Sequence, residues 1–172
     1  MSENSATRLS PQLVIGLGTG RCGTDSLAYF LDLQEGANVS HEMFKHKLTW
    51  QGGENQIDKL LQWMKLQTDQ RLVGDVAFAY LPYVGYILSR WPTAKFICLQ
   101  RDRTETIESF IKKTPGRNHW VHHDGAQWQA DRWDGCFPHY AAPSKPEAIG
   151  RYWDEYYATA AELQAAYPAA FR

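Results

Sequence analysis

Leu13-Val14-Ile15-Gly16-Leu17 is a short apolar run that feeds straight into Gly18-Thr19-Gly20-Arg21-Cys22-Gly23-Thr24-Asp25, after which Leu27, Phe30 and Leu31 recur at helical spacing. A glycine-bounded apolar run of that length reads as a buried strand. Strand, glycine loop and helix in immediate succession open an α/β unit. Gly18-x4-Gly23 also has the geometry that cradles an anion: glycines let successive backbone N–H groups turn inward, and the helix start adds partial positive charge. Gly20, Arg21, Cys22, Gly23, Thr24, Asp25 and Ser26 are therefore the first candidate binding set.

Three variants of such a loop fit less well. The nucleoside-triphosphate version ends Gly-Lys-[Ser/Thr], whereas Gly23 is followed here by Thr24-Asp25, and the cation, Arg21, precedes that glycine. Gly16-x-Gly18-x-Gly20 lacks the third-glycine spacing of a dinucleotide loop. Cys22 at a helix start predicts a lowered thiol pKa and invites a nucleophile reading. A phosphatase loop, however, needs an arginine after the cysteine, where this chain has Ala28. The plain alternative is a tight turn that only closes the unit.

Further along, Val39 to Phe44 is expected to hold a second strand and its exit. Asn55 is expected to cap a helix with Ile57, Leu60, Leu61 and Met64 on one face. Arg71 to Val76 reads as a third strand. Pro82 sits in the first turn of a helix carrying Val84, Ile87 and Leu88, stopped by Trp91-Pro92. Phe96-Ile97-Cys98-Leu99 reads as the clearest core strand. The next helix, capped by Asp102 or Thr104, turns Ile107, Phe110 and Ile111 inward. Pro146 to Tyr167 is a long helix with Ile149, Tyr152, Trp153, Tyr156, Ala160 and Leu163 on one face. This alternation predicts an α/β fold of three αβα layers around a central parallel sheet. With 172 residues it is expected to form one domain, with residues 1–11 as a disordered lead-in. Residues 114–144 lose periodicity, yet hold three of the seven tryptophans and four of the six histidines. An aperiodic stretch so rich in aromatics reads as a functional loop rather than a disordered one.

Composition removes several functions. Eighteen Lys+Arg against nineteen Asp+Glu give no overall basic field for nucleic acid, so any anion must bind at a local site. Cys22, Cys98 and Cys136 are odd in number and form no disulfide framework. The polar start shows no secretion signal. The longest uncharged stretch, Val76 to Ser89, is too short to span a membrane. The expectation is a reduced, soluble, cytoplasmic protein.

A second anchor follows the Phe96–Leu99 strand. Arg101 stands at its carboxyl end and Ser109 lies eight residues on. In an open α/β sheet ligands bind at the carboxyl ends of strands, and a guanidinium with a hydroxyl two turns along can clamp a phosphate. The two anchors together resemble the sulfotransferases that use 3′-phosphoadenylyl sulfate (PAPS). Leu13–Leu27, with Arg21-Cys22-Gly23-Thr24, is similar to their 5′-phosphosulfate loop, with Cys22 in place of the usual serine and Asp25 in place of a frequent Ser/Thr. Phe96–Phe110 is similar to their 3′-phosphate motif. The resemblance covers roughly residues 13–113. It implies a P-loop-NTPase-like sulfotransferase fold, PAPS as co-substrate, no catalytic metal and a hydroxyl-bearing acceptor, closer to the carbohydrate and heparan type than to the cytosolic phenol type. Such proteins generally carry a further C-terminal strand and a basic loop, which would begin where this sequence stops at Phe171-Arg172.

Sulfuryl transfer is an in-line displacement that needs a base for the acceptor hydroxyl and positive donors for the leaving phosphate. Arg21 and the loop N–H groups from Cys22 to Ser26 suit the leaving side. The resemblance makes Glu42, in Ser40-His41-Glu42-Met43-Phe44, the first choice of base. His41 is second, since imidazole titrates in the right range, and Asp75 is placed to orient the acceptor or Arg21. Trp120, Trp128, Trp133 and Tyr140 are expected to stack on an acceptor, with His119, His122 and His123 as polar contacts. A rival use of this loop is zinc, because His119-x2-His122 and Cys136-x2-His139 have zinc-site spacing. Two other functions compete: a magnesium-dependent kinase using the Leu72–Asp75 strand end, and a catalytically idle nucleotide-binding scaffold.

Overall fold

A computed structural model describes residues 10–171. Four strands, β1 (Gln12–Leu17), β2 (Ala37–His41), β3 (Leu72–Val76) and β4 (Lys95–Cys98), lie parallel in the order β2-β3-β1-β4. They alternate with α1 (Thr24–Asp32), α2 (Glu54–Lys65), α3 (Val84–Arg90), α4 (Arg103–Lys113) and α5 (Lys145–Ala166). The two-residue period of β1 divides its side chains between two layers. Leu13, Ile15 and Leu17 enter the larger core with α2, α3, α4 and α5, while Val14 joins Val39 and Val76 under Ala28 and Leu31 of α1. The expected αβα sandwich is therefore present. Neighbouring strands β1 and β4 send their following helices to opposite faces, which opens a crevice at their carboxyl ends.

Most of the predicted elements are found, with shifts that have physical causes. Of the expected lead-in, residues 1–9 lie outside the described residues, but Pro11 is buried. Phe30 is 63% exposed rather than inward, because the small valine surface beneath α1 is filled by Ala28 and Leu31. Asn55 is inside α2; the cap position is Gly53, whose N–H donates to the Tyr83 hydroxyl. The four apolar residues expected on α2 are all buried. Pro82 lies in a 3-10 turn, Phe78–Tyr83, that leads into α3. Ile111 is exposed and Thr106 takes the inward place, its hydroxyl donating to the Asp102 carbonyl. Asp102, not Thr104, caps α4 by accepting from the Glu105 N–H. Phe96–Leu99, expected as the clearest core strand, forms β4 beside β1 at the end of the ladder, and within β4 Phe96 alone is fully covered. Its outer side meets the chain again at Phe171 through an isolated parallel bridge, with the Phe96 N–H donating to the Ala170 carbonyl at 2.8 Å.

Two glycines let β1 and β3 run this close. A Cβ on Gly74 would stand 2.2 Å from the Val14 carbonyl oxygen, and one on Gly16 would meet both γ-carbons of Val76 at 2.5–2.6 Å. The Gly16 contact is with a side chain, whereas the Gly74 contact is with backbone that belongs to the ladder. Gly74→Ala is expected to lower unfolding free energy by about 3 kcal/mol, read from denaturant midpoints at unchanged slope.

Candidate active site

The carboxyl ends of all four strands open onto one cleft of about 500 Å³. Gly20, Arg21, Gly23, Thr24 and Asp25 line it from the loop after β1, His41 and Glu42 from β2 and its exit, Phe78 after β3, and Arg101 after β4. The loop is wound through the left-handed region at Gly18, Gly20, Arg21 and Gly23, where φ is 148°, 80°, 58° and 100°. Three of those four are glycines, as that region demands, and Arg21 is the exception.

The two sequence anchors meet in this cleft. Arg21 Nε donates to Ser109 Oγ at 3.0 Å, and Arg101 donates from a terminal guanidinium nitrogen to the Arg21 carbonyl at 3.1 Å. Arg101 Nε also holds Glu105 at 2.9 Å. Ser109 thus buttresses Arg21 and is not itself among the cleft-lining residues; Ser26 is exposed on α1 and also outside the lining. Tyrosines of α5 hold the loop from behind. Gly18 N–H donates to the Tyr156 hydroxyl at 2.9 Å, and the Tyr152 hydroxyl donates to the Thr19 carbonyl at 3.0 Å.

His41 sits between loop and strand exit, with Nε2 3.2 Å from Thr24 Oγ1 and Nδ1 3.5 Å from Asp25 Oδ1. Glu42 follows in the left-handed region, φ 49°, and partial burial raises its carboxyl pKa against the opposing pull of His41. Asp75 does not face the cleft. In register beside Ile15 and Ser40, it points into the core and is fully buried. There it accepts from Ser40 Oγ and Tyr80 Oη at 2.6 Å each and from the Met43 N–H at 3.2 Å. Burial raises its pKa in spite of those bonds. Through the Met43 N–H it holds the turn that carries Glu42, and it is not among the residues that line the cleft.

Cys22 departs from its expectation as well. Burial raises its thiol pKa, partly offset by bonds to Thr19 and Tyr157, and its side chain is not part of the cleft lining. The helix-start effect therefore loses to desolvation, and no nucleophilic thiol faces the cleft.

Residues 114–144 divide their aromatics. Trp120 is fully buried, edge-on to Phe110 at 4.9 Å and close to Phe137 at 4.9 Å, so it is floor and not a stacking platform. Trp133 lines the cleft, as does His119, while Trp128, Tyr140, His122 and His123 surround a separate hollow. Asp134 organises the histidines: its carboxylate lies 2.6 Å from His119 Nδ1 and 3.4 Å from His123 Nε2, and its carbonyl lies 3.0 Å from His139 Nε2. The His122 ring packs on His139 instead of converging with Cys136. Among the described residues no group of three or more His, Cys, Asp or Glu side chains is arranged to hold a metal ion. Sequence reading missed Lys113 and Arg117, which also line the cleft, Arg117 pairing with Asp131 at 3.1 Å. The available signal was spacing, since Lys113 lies one helical turn after Ser109 on the same side of α4.

A parallel α/β sheet with a left-handed glycine loop and a cation-lined cleft at its carboxyl edge defines the class. The chain belongs to the sulfotransferase family: the sulfotransferase domain model matches residues 13–167. No curated protein matches the chain significantly. The family places sulfuryl transfer to a hydroxyl-bearing acceptor as the general chemistry. Among the described residues no helix is long and apolar enough to cross a membrane.

Burial acts on all three thiols, raising Cys98 to about 11 and Cys136 to about 12. Alkylation of the folded chain by iodoacetamide at pH 7.5 is expected to run on the order of tenfold slower than that of free cysteine or of the unfolded chain. Mass spectrometry of each cysteine peptide checks it.

Proposed function

We propose that this chain moves a sulfuryl group from PAPS to a hydroxyl of a carbohydrate or glycolipid, with Glu42 as base. The observation that carries the reading is the Arg101–Arg21–Ser109 link, which joins the two anion-binding motifs in one cleft that also holds Glu42. The residues suit a donor with separated anionic groups. The glycine loop and Arg21 would hold the 5′-phosphosulfate, and Arg101 the 3′-phosphate, with Ser109 bracing Arg21 beside it. Lys113 and Arg117 add charge on the same side. Phe78, Trp133 and the rest of residues 114–144 would form the acceptor side.

In the transfer, the acceptor oxygen bonds to sulfur while Glu42 takes its proton. The bond from sulfur to the bridging phosphate oxygen breaks, and the electron pair leaves on adenosine 3′,5′-bisphosphate. Arg21 and the backbone N–H groups from Cys22 to Ser26 stabilise that leaving charge. His41 ties the donor loop to the Glu42 turn through Thr24 and Asp25, and Asp75 keeps the turn in place. The raised pKa of Glu42 makes it a stronger base than an exposed carboxylate.

Adenosine 3′,5′-bisphosphate is expected to raise the melting temperature without magnesium, because a ligand that binds only the folded state stabilises it. Arg101→Ala is expected to weaken that binding about tenfold or more. A shift with magnesium-ATP alone would replace this reading with a kinase. In a sulfuryl-transfer assay, Glu42→Gln is expected to lower kcat/KM on the order of a hundredfold while the melting temperature holds. Since the base must be ionised, the wild-type rate is expected to climb with pH through a pKa above the ordinary 4.5 of glutamate, and the variant to lack that limb.

A further inference from the structure

We propose that a second hollow, of about 390 Å³ and lined by Trp128, Lys145 and Asn118, binds a uronate, a pyranose ring carrying a carboxylate. The inference stands apart from the donor reading, because it concerns different residues and a different ligand group.

Lys145 is the first reason. The residue is 7% exposed, yet among the described residues it has no carboxylate within ion-pair distance; its ammonium donates to the carbonyl and hydroxyl oxygens of Thr114. An ammonium has three donors, so one remains. A buried cation without a counter-ion is costly, and burial alone pulls its pKa down. One carboxylate in the hollow would supply the missing charge.

The other lining groups ask for hydroxyls. Asn118 is 2% exposed, and its amide oxygen has no hydrogen-bond partner among the described residues. His123, whose side chain is 9% exposed, has neither ring nitrogen in a hydrogen bond, although Nε2 lies 3.4 Å from Asp134. Oxygen and nitrogen acceptors of this kind take protons from ring hydroxyls. The Trp128 ring, half-buried and 6.0 Å from the Lys145 ammonium, offers a flat apolar face for the C–H side of a sugar. One cation suits a singly charged carboxylate, whereas a phosphate or sulfate uses several donors at once. Thr114 is the shared wall: it lines the main cleft while its oxygens hold Lys145 in the second.

Isothermal titration of the full chain with glucuronate, glucose and inorganic sulfate tests the site. Glucuronate is expected to bind at least tenfold tighter than either of the others. Trp128→Ala, at a half-exposed position, is expected to weaken glucuronate about tenfold with the melting temperature unchanged. Lys145→Gln is expected to bring the preference over glucose close to one. Should that variant fail to fold, Trp128→Ala and the glucose comparison still decide. Absence of glucuronate binding, sulfate binding as tightly as glucuronate, or indifference to Trp128→Ala overturns the proposal. Adenosine 3′,5′-bisphosphate binding is measured separately, so its failure counts against the donor reading and leaves this result standing.

Discussion

Three tyrosine hydroxyls from α5 decide the shape of the glycine loop. Tyr156 accepts from the Gly18 N–H and donates to the Phe78 carbonyl at 3.1 Å; Tyr152 donates to the Thr19 carbonyl, and Tyr157 to the Leu99 carbonyl at 2.8 Å. These are backbone groups just past the ends of β1, β3 and β4, where ladder pairing has run out. A buried backbone polar group without a partner costs as much as a lost hydrogen bond. The tyrosines remove that cost at Gly18 and Thr19, on the side of the loop that faces α5. Much of the aromatic content of the chain has this use: a phenol fills core volume and still carries one polar tip to the sheet edge.

The second organising element is a buried carboxyl. Asp75 gathers Ser40, Tyr80 and the Met43 N–H around β3, and the turn it fixes carries Glu42 in a left-handed conformation that a bulky residue avoids without support. Both carboxyls have pKa values raised chiefly by burial. Such groups favour the folded state most below their unfolded-state pKa and give up that contribution as pH rises through the higher folded-state value. The site therefore holds charge at a cost that the hydrogen bonds around Asp75 only partly offset.

The features legible in the sequence are local ones. The strand–loop–helix opening, the Arg101 and Ser109 spacing and the apolar face of α2 follow from periodicity over a few residues, and the fold class follows from their alternation. What escaped depends on partners far along the chain. Phe30 and Ile111 fit a helical face by spacing, but the depth of the surface beneath each helix decides whether a large side chain is covered. Asp75 stands at a strand end, as a cleft residue would, yet its register beside Ile15 and Ser40 turns it into the core. Cys22 has the position of an activated thiol, and desolvation outweighs it. In 114–144 no periodicity exists to read, and Asp134, which gathers three of its histidines, carries no sequence signature.

The bonds from α5 to the loop join residues 133 and 138 positions apart. Closing so long a stretch of chain is entropically slow and comes late in folding. A polypeptide emerging from the ribosome would thus expose its glycine loop early and have it shaped last. Until the final helix docks, the nascent chain carries Gly18 to Gly23 without the tyrosine hydroxyls that hold Gly18 and Thr19 in place.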